Sequence, residues 1–409
     1  MTVTSSNAVY AVDPLYVGGV GLEEILIMSL KVGVAFGLLI GSVVMMIWFE
    51  RKLVSDFQNR IGPNVAGPFG LLQTLADGIK LIFKEDLIPA RADRFVFKLA
   101  PFLAIVPAFV IFTIVPIGGN FDKPGDASGT VEWFGNTTYL QVADPPVGIL
   151  FMLAMSSMAV YGVMLAGWAS GSKYPLLGSV RATAQMVSYE AALGLALIPV
   201  LLKSGSLSTH EIVAQQADGW NWNVWVTGFV PFVIFLIAIT AELNRPPFDL
   251  VEAEQEIVGG FHTEYSAFRF ATFFLAEFMN VITMSAIMVT LFFGGPDGPV
   301  WFLPSLAWAW GILWFSLKVL CFLFMFVWFR ATLPRLRYDQ LMDLGWKLLI
   351  PLALVWLLAI AAFDIGRDNG WNIGITLLGV LGVFIVAGGL LYRAVLSGRE
   401  RRLAGEVID

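Results

Sequence analysis

The sequence predicts an all-α, polytopic integral membrane protein with long charged loops. Of its 409 residues, 57% are hydrophobic and the mean hydropathy is +0.77, which is more apolar surface than a soluble domain could bury. The apolar residues form stretches long enough to cross a bilayer as helices. Charged residues make up only 14% of the chain and are concentrated between these stretches. Together these observations favour a single membrane domain over residues 1–409.

Nine apolar stretches are candidate transmembrane helices, because each is long enough, at about 1.5 Å per residue, to cross the hydrocarbon layer. They cover residues 25–48, 99–117, 147–166, 183–202, 224–241, 268–293, 304–329, 348–363 and 372–392. The eighth stretch is short, so eight or ten spans are alternatives to nine.

Lysine and arginine residues predict the orientation, because positively charged loops stay on the cytoplasmic side. The segments 49–96, 168–182, 242–267, 330–347 and 393–409 hold 18 of the 25 Lys and Arg residues, whereas the opposite segments hold three. This asymmetry places the N-terminus outside and these five segments inside. The first of them is too long for a simple connector and is expected to be structured.

Residues 62–83 of that first cytoplasmic segment combine a turn with an amphipathic helix. Pro63 and Pro68 preclude a regular helix in GPNVAGPFG. From Leu71 onward, apolar residues recur on one helical face, and the other face carries polar residues that include Asp77. Such a helix either anchors the loop at the membrane interface or presents its polar row to a cavity.

The chain has few residues that could hold a metal or a redox cofactor. With one Cys and two His, it lacks the roughly four thiolates that an iron–sulfur cluster requires. His210 and His262 are predicted at opposite membrane faces, which argues against a haem held by both. No phosphate-binding loop or dinucleotide fingerprint is present. Any redox chemistry must therefore be supplied by partners.

The acidic segment 242–267 is the most informative loop, because its carboxylates directly follow an apolar span. Within AELNRPPFDLVEAEQE, Arg245 is the one base, and the two prolines after it must end the preceding helix. Helix is expected to resume near Asp249. The segment forms either a solvated acidic face or, with bases from neighbouring loops, a docking surface or chamber wall. Its carboxylates up to position 256 are Glu242, Asp249, Glu252, Glu254 and Glu256.

Four charged residues fall inside predicted spans and away from the span ends, where each costs about 2.5–3.5 kcal/mol at the bilayer centre unless it is paired or hydrated. Glu277 and Lys318 form either a structural ion pair between two helices or part of a proton relay. Glu190 lies toward the cytoplasmic face, as Glu242 does, and a proton could pass between these two carboxyls through water. Lys31 is expected to extend toward the outer surface.

Four loop segments resemble those of a known family. They read ERKLVSDFQNRIGPNVAGPFGLLQTLADGIKLIFKE at 50–85, GWASGSKYPLLGSVRATAQMVSYE at 167–190, AELNRPPFDLVEAEQEIVGGFHTEY at 241–265 and RATLPRLRYDQLMDLGWK at 330–347. In this order, and on one predicted membrane face, they are similar to the H subunits of bacterial NADH:quinone oxidoreductase, which is respiratory complex I. The mitochondrial counterpart is NADH dehydrogenase subunit 1.

The resemblance implies roles for particular charged residues. In that family, a quinone-access chamber is lined, bordered or closed by residues that match Arg51, Arg60, Asp77, Arg335 and Arg337. An acidic funnel links quinone reduction to the proton-pumping subunits, and its carboxylates match Glu190, Glu242, Asp249, Glu252, Glu254, Glu256 and Glu264. Two polar positions inside spans match Glu277 and Lys318.

The resemblance also implies cofactors, partners and location. The chain would bind no cofactor itself and would guide a quinone, either ubiquinone or menaquinone, from the lipid toward an iron–sulfur cluster in a partner subunit. Its partners would be peripheral-arm subunits that carry flavin and iron–sulfur clusters, membrane-arm pumping subunits and lipid, with no nucleic acid. It would lie in the bacterial cell membrane and act only as a subunit of the translocase.

Two departures from the family pattern and three alternatives accompany this interpretation. Val251 stands where many relatives have proline. The third span carries Ser156 and Ser157 at its centre and no carboxyl, so no proton route through an acid is expected there. A related subunit that anchors a membrane-bound hydrogenase would need no quinone. An autonomous proton or ion transporter would favour inverted repeats, which the sequence lacks, and a pure scaffold would need no buried carboxylates.

Overall fold

The computed structural model is a helical bundle with one small β-hairpin. It describes residues 13–370, except 17, 18, 20, 120, 122–128, 134, 218–220, 251–253 and 301–306, together with scattered positions between 379 and 397. Among these residues, seven helices are long and apolar enough to cross a membrane. The prediction of an all-α, polytopic membrane protein is confirmed.

The elements follow one another along the chain as thirteen α-helices and two strands in the part that the structure describes. They are α1 (Leu22–Phe57), α2 (Gln73–Phe83), α3 (Arg94–Phe112), β1 (Thr130–Trp133), β2 (Asn136–Tyr139), α4 (Gly148–Ala169), α5 (Lys173–Ser204), α6 (Thr209–Gln215), α7 (Asn223–Val226), α8 (Phe229–Glu242), α9 (Glu254–Ile257), α10 (Ala267–Phe292), α11 (Ala307–Thr332), α12 (Tyr338–Asp343) and α13 (Ile350–Asp368). A π-helical turn at Leu344–Leu349 joins α12 to α13, so that these two form one long apolar helix.

The fifth predicted span differs from the others, because it is divided. Hydropathy predicts one helix over residues 224–241, but α7 and the 14-residue α8 share this stretch. Gly228 lies between them at φ 78°, a backbone conformation that other residues rarely adopt, and interrupts the helix there. The ninth predicted span, 372–392, lies outside the continuously described residues, so the number of spans stays a prediction.

The segment before α4 contains a β-hairpin that hydropathy alone does not predict. β1 and β2 pair antiparallel, with Trp133 opposite Asn136 and Thr130 opposite Tyr139. Gly135 occupies the turn at φ 82°. Thr138 of β2 is buried and contacts Asp13, in the chain before α1. The hairpin therefore lies near the N-terminal end of the first long helix.

The helices differ strongly in how far they are enclosed. Of the apolar part of α10, 78% is buried within the bundle, compared with 11% for the helix formed by α12 and α13. α3, α4 and α5 pack side by side, and α8 and α10 lie against them. Gly162 of α4 allows the backbone of α3 to approach, because a Cβ there would lie 2.8 Å from the Ala104 nitrogen. The charged residues described below surround the enclosed α10.

Candidate functional site

A buried network of ion pairs lies where the acidic segment leaves α8. Arg245 donates from Nη1 to both carboxylate oxygens of Glu50, each at 3.0 Å, and its Nε lies 3.2 Å from Oε1 of Glu277. Its guanidinium also lies over the ring of Phe278, 4.6 Å from the centroid. Arg330 of α11 donates to Glu50 as well. One arginine thus connects α1, the turn after α8 and α10.

The centre of the network, formed by Glu50 and Arg245, balances its charges away from water. Glu50 and Arg245 are only 5% and 4% exposed, so each requires a partner to offset the loss of hydration. Two carboxylates face two guanidiniums within the cluster of Glu50, Glu277, Arg245 and Arg330. Because the net charge is near zero only when all four are ionised, an added or removed charge beside any member must redistribute the contacts of the others.

A cavity of about 550 Å³ opens on one side of the network. Glu50 and Arg330 form part of its wall, and Phe278 contributes an aromatic face. Its other polar lining comes from Arg51 and Arg60, and further apolar lining comes from Ile47, Val54 and Phe274. This combination of apolar walls with a few converging charges is typical of a site for an organic ligand that carries a polar head. We call it the large cavity.

Arg51 is held at the large cavity by the helix that the sequence predicts in the first loop. Its Nη1 donates to Oδ2 of Asp77 at 2.6 Å, and Lys80 lies 3.6 Å from the same carboxylate. Burial alone would raise the pKa of Asp77, but the hydrogen bond and charge of Arg51 outweigh it and hold that pKa below its usual value. Asp77 thus joins the amphipathic helix α2 to α1, but no residue of α2 is among those that line the large cavity.

A second, smaller cavity lies on the other side of Arg245. It has a volume of about 60 Å³, enough for about two water molecules at about 30 Å³ each. Glu242 and Glu277 line it together with Asn244, Asn280 and His262. Glu277 thus borders this small cavity and also contacts Arg245, which binds the wall of the large cavity. The network separates the two cavities and links them electrostatically.

Two carboxyls, the buried Glu242 of the small cavity and the half-buried Glu190, contact neighbouring serines of α4. Ser156 donates to Glu242, and Ser157 donates to Glu190. Glu190 of α5 lies close enough to Glu242 of α8 for their charges to interact. Glu190 and Glu242 therefore lie near each other, while their similar depth in the membrane stays a prediction.

Comparison with known proteins identifies the family. The family model described as NADH dehydrogenase matches residues 30–361. The chain belongs to this family. It is 47% identical to the H subunit of NADH-quinone oxidoreductase from Frankia alni over 99% of this chain and 90% of that protein. The same-named proteins of Cutibacterium acnes (43% identical, 95% and 89% covered) and Streptomyces avermitilis (47% identical, 88% and 77% covered) are also similar.

These relatives agree with the resemblance found in the four loop segments, and their names do not favour the hydrogenase or transporter alternatives. Within this NADH dehydrogenase family member, the remaining predicted residues are placed as follows. Arg335 lies 3.4 Å from Glu256, which Arg181 also contacts at 2.9 Å. Arg337 is exposed at the start of α12. Neither Arg335 nor Arg337 is among the residues that line the large cavity.

The acidic segment differs from its predicted helical course. Asp249 and Leu250 lie in irregular chain, so helix does not resume at Asp249 itself, and the next helix among the described residues is the one-turn α9 from Glu254. Glu252 lies outside the described residues. Glu264 is half-buried in the turn before α10. Glu256 faces Arg181 and Arg335 rather than the small cavity, so the carboxylates of this segment divide into two groups.

His262 also lines the small cavity, although the sequence alone does not place it there. Its ring packs against Phe261, Phe270 and Phe273. Burial lowers the pKa of His262 to about 4. The imidazole is therefore neutral near pH 7 and adds no positive charge beside the carboxyls.

Two interpretations of intramembrane charges are wrong. Lys31 does not extend toward the outer surface; it is buried and binds Asp13 at 2.6 Å, because Asp13 lies under the hairpin and accepts from Thr138 as well. Lys318 does not pair with Glu277, whose partner is Arg245. Instead its ammonium donates to three carbonyls beyond the end of α10, those of Phe293, Gly295 and Asp297, at 2.7–3.0 Å.

Sequence reasoning misses three contributors to the site. Glu50 stands at the head of the first matching loop segment, but its burial depends on Arg245 and Arg330, which are 195 and 280 residues away. In the sequence, Ser156 and Ser157 are notable only because they lie at the centre of a span that carries no carboxyl. A signal for them exists, because two adjacent hydroxyls inside an apolar helix need partners in neighbouring helices.

Proposed function

We propose that this chain is the membrane subunit of a proton-pumping NADH:quinone oxidoreductase that forms much of the quinone-access chamber and the first charged part of the proton-coupling path. The observation that carries the proposal is the position of Arg245 between Glu50, on the wall of the large cavity, and Glu277, on the wall of the small one. The near-full-length similarity to H subunits of NADH-quinone oxidoreductase supports it.

The large cavity is proposed to receive the quinone head group. Its aromatic and aliphatic walls suit an apolar ring, and Arg51, Arg60 and Arg330 suit the oxygen atoms that become negative during reduction. Asp77 fixes Arg51 in place from outside the cavity. Arg335 and Arg337 belong, in this proposal, to the loop segment 330–347 that faces the peripheral arm and limits access.

Coupling is proposed to begin with the charge of the reduced quinone. A negative head group attracts Arg330, which weakens its contact with Glu50 and leaves Glu50 to Arg245. Arg245 then stabilises Glu277 less, and the change reaches the small cavity and Glu242. Glu190 and Glu242 pass protons toward the pumping subunits. Asp249, Glu252, Glu254, Glu256 and Glu264 complete the acidic funnel on the cytoplasmic side.

The proposal also fixes cofactors, partners and orientation. Ubiquinone or menaquinone is the substrate, while flavin and iron–sulfur clusters reside in peripheral-arm partner subunits. The membrane-arm partners are pumping subunits. The chain lies in the bacterial cell membrane with its N-terminus outside and the segments 49–96, 242–267 and 330–347 in the cytoplasm, as the distribution of lysine and arginine predicts.

A substitution at Glu242 in the assembled complex tests the proposal. Glu242→Gln is expected to lower quinone-linked NADH oxidation at least about tenfold while leaving NADH oxidation by hexacyanoferrate unchanged, because that acceptor takes electrons before the quinone. Glu23→Gln, at an exposed glutamate of α1, is the matched control and should behave as the unaltered enzyme. Normal coupled turnover in an assembled Glu242→Gln complex would refute the proposal, as would a stable chain that copurifies with no partner.

A further inference from the structure

Two adjacent serines of α4 reach two different neighbouring helices. Ser156 donates to Oε1 of Glu242 on α8, and Ser157 donates to Oε1 of Glu190 on α5. Consecutive side chains on an α-helix point about 100° apart but differ in height by only about 1.5 Å. The serine pair therefore sets both carboxyls at nearly the same level of the bundle.

Other described groups give these carboxyls little fixed support. Oε2 of Glu242 is buried, and none of the residues that the structure describes offers it a hydrogen bond. For Glu190, Ser157 is the hydrogen-bond partner that the described residues provide. Without the two hydroxyls, neither carboxyl would have a defined rotamer imposed by a polar contact, because apolar packing does not orient a carboxyl group.

Ser157 has a second contact that depends on the protonation state of Glu190. Its Oγ lies 3.0 Å from the carbonyl oxygen of Leu153, one turn earlier in α4. A hydroxyl carries one hydrogen. When Glu190 is ionised, Ser157 donates to the carboxylate. When Glu190 is protonated, the carboxyl donates to Ser157 Oγ, and the serine hydrogen turns to the Leu153 carbonyl. Ser157 can thus hold Glu190 in both states.

We propose that Ser156 and Ser157 are positioning residues for proton transfer, which hold Glu242 and Glu190 at one level so that water can join them. The proton leaves one carboxyl and arrives at the other, and each serine ends the step with its own hydrogen. This inference deepens the proposed function and rests on it. It also assigns a role to the two serines at the centre of α4, a helix that carries no carboxyl.

The test compares hydroxyl-bearing and hydroxyl-free side chains of equal shape in the assembled complex. Ser156→Ala and Ser157→Ala are expected to lower the turnover number for quinone-linked NADH oxidation, or the protons pumped per electron, about tenfold, with the quinone KM unchanged. Ser156→Thr and Ser157→Thr should retain activity, whereas Ser156→Val and Ser157→Val should lose it. Ser285→Ala is the control, because Ser285 is a buried helical serine whose hydroxyl donates to the Val281 carbonyl.

Each outcome decides the inference. Loss in the alanine and valine variants with retention in the threonine and Ser285→Ala variants supports it. Full turnover and full proton pumping in Ser156→Ala combined with Ser157→Ala overturns it, as does equal loss in the threonine and valine variants. If the alanine variants do not assemble, the difference in activity between the threonine and valine variants at each position still tests the inference. A severe effect of Glu242→Gln beside neutral serine variants overturns this inference alone, whereas a neutral Glu242→Gln overturns the proposed function.

Discussion

Arg245 and Glu50 form a two-point contact across 195 residues of sequence, with Nη1 of the arginine 3.0 Å from each carboxylate oxygen. The pair holds the C-terminal part of α1 against the turn that follows α8. Because both side chains are buried, their separation would expose neither to water without opening the bundle. The contact is therefore structural as well as part of the proposed coupling path.

Arg245→Met should destabilise the protein by about 3–5 kcal/mol, because it leaves Glu50 and Glu277 as buried carboxylates with one base fewer. The effect is measured as a lower melting temperature of the purified complex. Arg245→Lys should restore little, since one ammonium cannot reproduce the forked contacts to both carboxylates. Arg94→Met, at an exposed arginine of α3, is the control. Equal melting temperatures for the Arg245→Met and Arg94→Met complexes would contradict the prediction.

Val54→Phe should raise the quinone KM about tenfold, because the larger side chain fills part of the large cavity that Val54 lines. NADH oxidation by hexacyanoferrate and the number of protons pumped per quinone should remain unchanged. Val34→Phe serves as the matched control, because Val34 lies on the same helix at an exposed position and is not among the residues that line the cavity. An unaltered KM in an assembled Val54→Phe complex would place the quinone elsewhere.

Lys318→Arg should retain coupled turnover, whereas Lys318→Met should lower stability by about 3 kcal/mol. The ammonium donates to three carbonyls beyond the end of α10, and hydrogen bonds from a charged group contribute about 1.5–3 kcal/mol each before compensation by neighbouring groups. Thermal unfolding and quinone-linked NADH oxidation are measured on the same preparations. Loss of turnover in a fully stable Lys318→Arg complex would instead favour a role in the proton relay.

Asp144, in the segment before α4, should make stability depend on pH. Burial raises the pKa of Asp144 to about 6, although the hydroxyl of Ser208 donates to it at 2.7 Å. Because the folded state holds this proton more tightly than the unfolded state, the contribution is complete below about pH 3.8 and is lost as pH rises through about 6.

Asp144→Asn should remove that dependence. Between pH 5 and pH 7.5, the unaltered protein should lose about 1.4 kcal/mol of unfolding free energy relative to the variant, because the rest of the contribution is already lost below pH 5. Melting temperatures of the two proteins at both pH values provide the measurement. Asp364→Asn, in the last turns of α13, is a control, because it removes a different carboxylate, the one bound by Lys203 at 2.6 Å. Parallel pH profiles for the unaltered and Asp144→Asn proteins would contradict the prediction.

Local sequence pattern predicts those features whose causes are local. The apolar stretches locate the long helices, the prolines after Arg245 end α8, and the polar row of α2 places Asp77 where Arg51 can reach it. The carboxylates that directly follow an apolar span also indicate the neighbourhood of Glu242.

Features that depend on distant partners cannot be predicted in this way. Hydropathy treats Glu50 as the first residue of a polar loop, because nothing nearby in sequence reveals two arginines from other parts of the bundle. Lys31 is expected from sequence to reach water, since its partner Asp13 lies outside the first apolar stretch and is buried only once the hairpin covers it. Gly228 divides the fifth span through backbone geometry, which hydropathy does not measure.

The distance along α1 between its two buried ion pairs can be compared with the thickness of the membrane. Lys31 and Glu50 are 19 residues apart on one continuous helix, which corresponds to about 28 Å at about 1.5 Å per residue. This length is close to the hydrocarbon thickness of about 30 Å. If α1 crosses the bilayer upright, the two buried pairs lie close to the two edges of the lipid tails. The large cavity, which Glu50 lines, then begins at one of these edges, where the ring of the proposed quinone could enter it sideways from the lipid.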